Sequence, residues 1–152
     1  MNDDASGMNS GSVYTFESTP AALAGEGASI SLSAGGLQSM ILEGGASRAG
    51  WFYFMLGSFT GSAPGINFGG GVLLPLNFDA YLNLTLTKPG LGAFGGFRGM
   101  LDGTGQALST FTIPAGTDPS LAGVTLNHAY LAASVLGFPE FASNAVPVTL
   151  VL

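Results

Sequence analysis

The sequence predicts an all-β fold, a single jelly-roll-like β-sandwich with an N-terminal extended tail, and three observations predict it. Short β-prone runs are separated by Gly, Pro, Asn and Asp at close to the 8–12 residue spacing typical of a sandwich. Glycine is abundant, 25 of 152 residues, and falls between the apolar runs without a collagen-like period, as turns do. No stretch longer than a turn reads as a helix in preference to a strand. About eight to nine strands in two sheets suit a jelly roll, with an immunoglobulin-like sandwich as the close alternative. The chain is long enough for one full core, so residues 28–152 are read as the domain and residues 1–27 as the tail.

Residues 1–12 are small and polar and bury too little apolar surface to order themselves. Val13, Tyr14, Thr15 and Phe16 then form a β-prone island. It reads either as a first edge strand or as a strand donated to another subunit. Ile30 and Leu32 alternate with serines before Ala34-Gly35-Gly36, and Met40 and Leu42 follow on a return strand, so a hairpin is expected across that turn. The run at 51–58, Trp-Phe-Tyr-Phe-Met-Leu-Gly-Ser, does not alternate. It reads as a strand covered on both faces, with Trp51, Phe52, Tyr53 and Phe54 belonging to a groove or to the core.

Gly69, Gly70 and Gly71 can serve as a hinge or as a site of close backbone packing. The run at 72–76 contains Pro75 and is expected at a sheet edge or bulge. Residues 80–87 alternate Leu82, Leu84 and Leu86 with Tyr81, Asn83, Thr85 and Thr87, which predicts a strand. Asp102-Gly103-Thr104-Gly105 lies between two β-prone runs and predicts a second hairpin. Residues 124–133 and 146–152 supply the last strands, a helix being the competing reading for the first of them.

Charged residues make up only 8% of the chain, against roughly 25% in an ordinary soluble domain. So sparse a set of charges suggests a surface largely covered by neighbours or by glycan, with a monomer as the open alternative. The net charge is −6, and Arg48, Lys88 and Arg98 are scattered, which argues against nucleic acid as a partner. The absence of cysteine excludes disulfides, thiolate metal sites and cysteine nucleophiles. No run approaches the roughly 20 apolar residues of a membrane span, and no signal peptide is visible in the numbered chain.

No residue pattern points to catalysis, a cofactor or a metal. His128 is the sole histidine and reads as structural. Asp79 and Asp102 lie in turns, where the side chain caps its own backbone. Glu43 and Glu140 have no spacing that marks them as a catalytic pair. Residues 57–61 lack the order of a nucleophile elbow. Asn83-Leu84-Thr85 is a glycosylation sequon, placing Asn83 as a modification candidate on the outward face of the expected strand.

The succession Ser-Leu-Ser-Ala-Gly-Gly-Leu-Gln, Ala-Gly-Trp-Phe-Tyr-Phe-Met-Leu-Gly-Ser, Leu-Pro-Leu-Asn-Phe-Asp-Ala-Tyr, Leu-Asp-Gly-Thr-Gly-Gln-Ala and Leu-Asn-His-Ala-Tyr resembles an uncharacterised β-sandwich module of secreted bacterial proteins. The resemblance covers about residues 30–152 and brings no catalytic residues with it. Such domains are also similar to jelly-roll subunits of environmental extracellular fibrils, whose N-terminal tail inserts into the next subunit. That implies an extracellular, head-to-tail homo-oligomeric filament, with residues 13–16 as the inserted strand. A secreted carbohydrate-binding or adhesion module, with Trp51 or Tyr81 as a stacking platform, is the alternative.

Overall fold

The computed structural model describes residues 21–134 and 139–152, so the island at 13–16 lies outside the described residues. Two sheets face one another. The smaller has the order β1 (Leu23–Glu26), β3 (Gly36–Glu43), β9 (Gln106–Ile113) and β7 (Phe94–Gly95). The larger has β2 (Ser29–Ser31), β12 (Val146–Val151), β10 (Thr125–Ala133), β4 (Phe52–Ser58) and β8 (Arg98–Met100), and β11 (Phe141–Ala142) pairs with the far end of β10. A separate hairpin of β5 (Ile66–Gly69) and β6 (Val72–Leu74) precedes the helix α1 (Ala80–Thr87).

The all-β sandwich is as the sequence predicts, and the strand order chooses between its two types. β1-β3-β9-β7 against β12-β10-β4 is the A-B-E-D and G-F-C arrangement of an immunoglobulin-like sandwich. The period-2 alternation of β3 and β9 turns Met40, Leu42, Phe111 and Ile113 inward, where they meet Tyr53, Met55, Tyr130 and Val148 of the larger sheet.

Both turns expected to close hairpins instead carry the chain between sheets. Asp102 does close its turn: Oδ1 accepts the N–H groups of Thr104 and Gln106, and the Gly105 N–H donates to the Asp102 carbonyl. Yet β8 pairs with β4 and β9 with β3. Likewise β2 runs parallel to β12 while β3 joins β9. A turn signal specifies reversal of the chain and leaves open which ladder each arm will join.

The expected strand at 80–87 is α1. Asp79 has extended backbone, and its Oδ1 accepts the Leu82 N–H at 2.9 Å, an N-cap that starts the helix. Coiling places Leu82 and Thr85 on the buried side and leaves Asn83, Leu86 and Thr87 exposed. Gly69, Gly70 and Gly71 all have positive φ and form the open β5–β6 turn, with no neighbour where a Cβ would stand, so close packing is not their role.

The boundary at residue 27 also moves. β1 falls within the expected tail, but it pairs antiparallel with β3 from Leu23 to Glu26. Asn144 holds its outer edge, accepting the Leu23 N–H at 3.0 Å and donating to the Leu23 carbonyl at 2.9 Å. One side-chain amide thereby supplies both halves of a missing strand bridge.

Candidate functional site

β4 sits between β10 and β8, and its successive side chains face opposite sides of the sheet. Tyr53 and Met55 point into the sandwich. On the outer face Leu56 packs with Ala129 and Leu131 of β10, beneath Val72 and Leu74 of β6, Leu76 and Leu82 of α1. The lack of alternation along 51–58 is therefore explained within one chain, which supplies a cover for each face. Among the described residues the outer cover is incomplete. Between Leu56, Leu131, Ile66, Leu74, Leu82 and Phe54 it leaves an apolar cavity of about 430 Å³.

Beyond Phe54 the outer face runs out to β8, the edge strand. The register sets Phe52 opposite Met100 and Phe54 opposite Arg98, so these four side chains share the outer face. They border a shallow second pocket of about 330 Å³. The Arg98 guanidinium lies over the Phe54 ring, 4.9 Å from its centroid, and Met100 is 57% exposed.

The backbone of β8 is paired on one side only among the described residues. The Phe97 carbonyl accepts from the Met55 N–H, and the Leu101 N–H donates to the Trp51 carbonyl. Alternation then turns Gly99 toward β4, and directs the N–H and C=O of Arg98 and Met100 away from it. An open donor–acceptor row beside an apolar outer face is the kind of edge to which an extended peptide can add.

The sequence-predicted residues are divided by this geometry. Phe52 and Phe54 reach the open edge, whereas Tyr53 is core, with its hydroxyl donating to the Gly96 carbonyl at 2.8 Å. Trp51 is half-buried against the core, and the Arg48 guanidinium lies 5.6 Å from its ring centroid and 4.0 Å from that of Phe141. Tyr81 is engaged through its hydroxyl, 2.7 Å from His128 Nε2. The two rings nominated as stacking platforms thus already have intramolecular partners. Met100 and Arg98 were not singled out by sequence; a three-residue edge strand between glycine-rich loops has too little pattern to mark it.

Asn83 is exposed, but on a helix, and the Thr85 of its sequon is buried. Thr85 Oγ1 donates to the Leu82 carbonyl and accepts the Gly57 N–H. The complete sequon is presented only when α1 is unfolded. Asp79 is a structural hub: Oδ2 accepts from Ser58 Oγ at 2.7 Å, Thr60 Oγ1 at 2.8 Å and the N–H groups of Phe59 and Thr60. Burial acts to raise its pKa, and the hydrogen bonds from Leu82, Ser58 and Thr60 together outweigh that and hold it below the ordinary carboxylate value. Glu43 accepts from Gln106 Nε2, and Glu140 from the Ser134 N–H and hydroxyl. No group of three or more potential metal ligands occurs among the described residues.

Neither a protein-family model nor a curated protein matches the sequence. Among solved structures the chain is similar to the ASH / PapD-like domain of human CEP192 (PapD-like domain 7). The two share 8% identity and a TM-score of 0.36 over 89% of this chain and 88% of that one, a likeness too slight to carry a function across.

Proposed function

We propose that this chain is a structural subunit of an extracellular helical fibril, in which the N-terminal arm of one copy inserts beside β8 of the next. The observation that supports this reading is the open edge of β8 next to Phe52, Phe54 and Met100. Val13, Tyr14, Thr15 and Phe16 have the chemistry of a strand to add there. Period-2 geometry puts Tyr14 and Phe16 on one face, where they extend the outer row of Phe52, Phe54 and Met100, while the main chain satisfies Arg98 and Met100. A contact between two different surfaces of the same molecule is heterologous, and where its rotation does not close a ring it propagates as a filament. The low charge content agrees with a surface meant for neighbours.

Two variants test the two sides of the joint. Deleting residues 1–20, which leaves β1 in place, is expected to give a folded protein that forms no filaments by negative-stain microscopy. Met100→Pro removes an N–H that faces away from β4, so the subunit is expected to fold with its arm intact and still not polymerise. Filaments of unchanged length from either folded variant overturn the reading.

A further inference from the structure

His128, the single histidine, is wholly buried on β10 under α1. Its ring centroid lies 5.6 Å from that of Tyr81, 5.7 Å from Phe97 and 5.1 Å from Phe111. Nε2 meets the Tyr81 hydroxyl, and Nδ1 has no hydrogen-bond partner among the described residues. The Tyr81–His128 contact ties α1 to β10 through a space that Gly57 leaves open. A Cβ at Gly57 would collide with the Tyr81 ring and stand 3.0 Å from His128 Cδ2.

This packing accommodates a neutral imidazole and not its cation. An imidazolium would lie among aromatic rings with one neutral hydroxyl to receive two N–H donors. The titratable group facing the ring is Tyr81, which burial, and then the charge of Asp79, keep protonated. β4 contributes Gly57, β9 contributes Phe111 and the segment before β8 contributes Phe97, none of which ionises.

We propose that the Tyr81–His128 contact is an acid-sensitive latch: protonation of His128 requires α1 to swing away, so acidification frees α1 from β4 and β10 before the sheets separate. α1 is suited to leave first. It is eight residues long, outside both sheets, and its other polar ties are the Asp79 cap and the Thr85–Gly57 bond. β3 and β9, by contrast, are paired along their full lengths. Burial lowers the folded-state pKa of His128 from 6.5 to about 3. The sign follows: the opened form binds the extra proton, so opening becomes more favourable as pH falls below about 6.5, by close to tenfold per pH unit until the folded-state value is reached. This inference is independent of fibril assembly.

Hydrogen exchange of the α1 amides between pH 6.5 and 4.5, corrected for intrinsic exchange chemistry, tests it on the full chain under non-polymerising conditions. The expected result is a larger opening constant for α1 than for β3 and β9 at every pH, rising about 50-fold over that range. His128→Gln is expected to abolish the rise. Tyr81→Phe, which keeps the ring, is expected to raise opening at all pH values and retain the slope. The imidazole proton resonance of the wild-type chain gives a readout that needs no variant and is expected to show no titration step near pH 6.5. Exchange of α1 only together with β3 and β9, a pH-independent α1 opening, a slope that survives in folded His128→Gln, or a step near pH 6.5 each overturns the latch.

Discussion

At the residue scale, the fold depends on a few positions where one atom more or less decides the packing. Gly57 lies on the inward face of β4, where the Tyr81 ring occupies the volume a side chain would fill. Gly57→Ala is expected to destabilise the protein by about 2 kcal/mol, since the neighbouring atoms belong to a ring held by His128 and by Phe94 and Phe111. Urea denaturation of the two proteins measures this. Asp79 adds a pH dependence of its own. Its folded-state pKa is depressed, so its contribution is present above the ordinary carboxylate value and lost as pH falls through the folded one. Asp79→Ala is expected to cost about 2 kcal/mol at neutral pH, by removing the N-cap of α1 and the carboxylate acceptor of the Phe59 N–H. That loss is expected to shrink between neutral pH and a pH below the lowered folded-state value, where the wild-type carboxylate has taken up its own proton. Equilibrium denaturation of both proteins at the two pH values checks it.

At the element scale, local signals specify local geometry. The alternation of β3 and β9 was legible because each strand has one covered and one exposed face: Met40 and Leu42 turn in, Leu37 and Ile41 turn out. The same alternation misled at 80–87. Leu and Thr in turn satisfy a strand pattern, and what made the segment helical was Asp79 ahead of it and the two separate sites that Tyr81 and Leu82 fill when adjacent residues point about 100° apart. The turn at Asp102 was legible as a turn, but its destination was fixed by Leu101 and Phe97 both entering the core. The candidate site was half legible. Aromatic density drew attention to Phe52 and Phe54, while the open edge they border exists only because β8, distant in sequence, pairs with them. Asn144→Ala removes both bonds to Leu23 and is expected to cost about 1–2 kcal/mol, with exchange protection falling first at β1, as amide exchange would reveal.

At the scale of the whole molecule, the outer face of the smaller sheet stands out beside the charge deficit. Ile41 and Leu108 are directly cross-strand, at 40% and 61% exposure, in a sheet whose charged outer neighbours are Glu26 and Glu43. Exposed apolar pairs promote association without supporting the fold. Leu108→Lys is expected to change unfolding free energy by less than about 0.5 kcal/mol while raising the solubility limit, which denaturation and precipitation titrations separate.

The pairing of β2 with β12 has a mechanical consequence. These strands are parallel, and the ladder is lengthened by Thr149 N–H donating to the Ala28 carbonyl and Leu32 N–H to that of Val151. Tension applied to the chain before β2 and after β12 draws the two in opposite directions along their common axis. The hydrogen bonds are then loaded together in shear and do not peel one at a time. Pulling a single molecule from residues 27 and 152, which leaves β1 outside the loaded span, is expected to give one abrupt high-force rupture, and Thr149→Pro, which deletes one bond of the ladder, to lower that force. Tensile strength of this kind comes from strand direction and owes nothing to the size of the core.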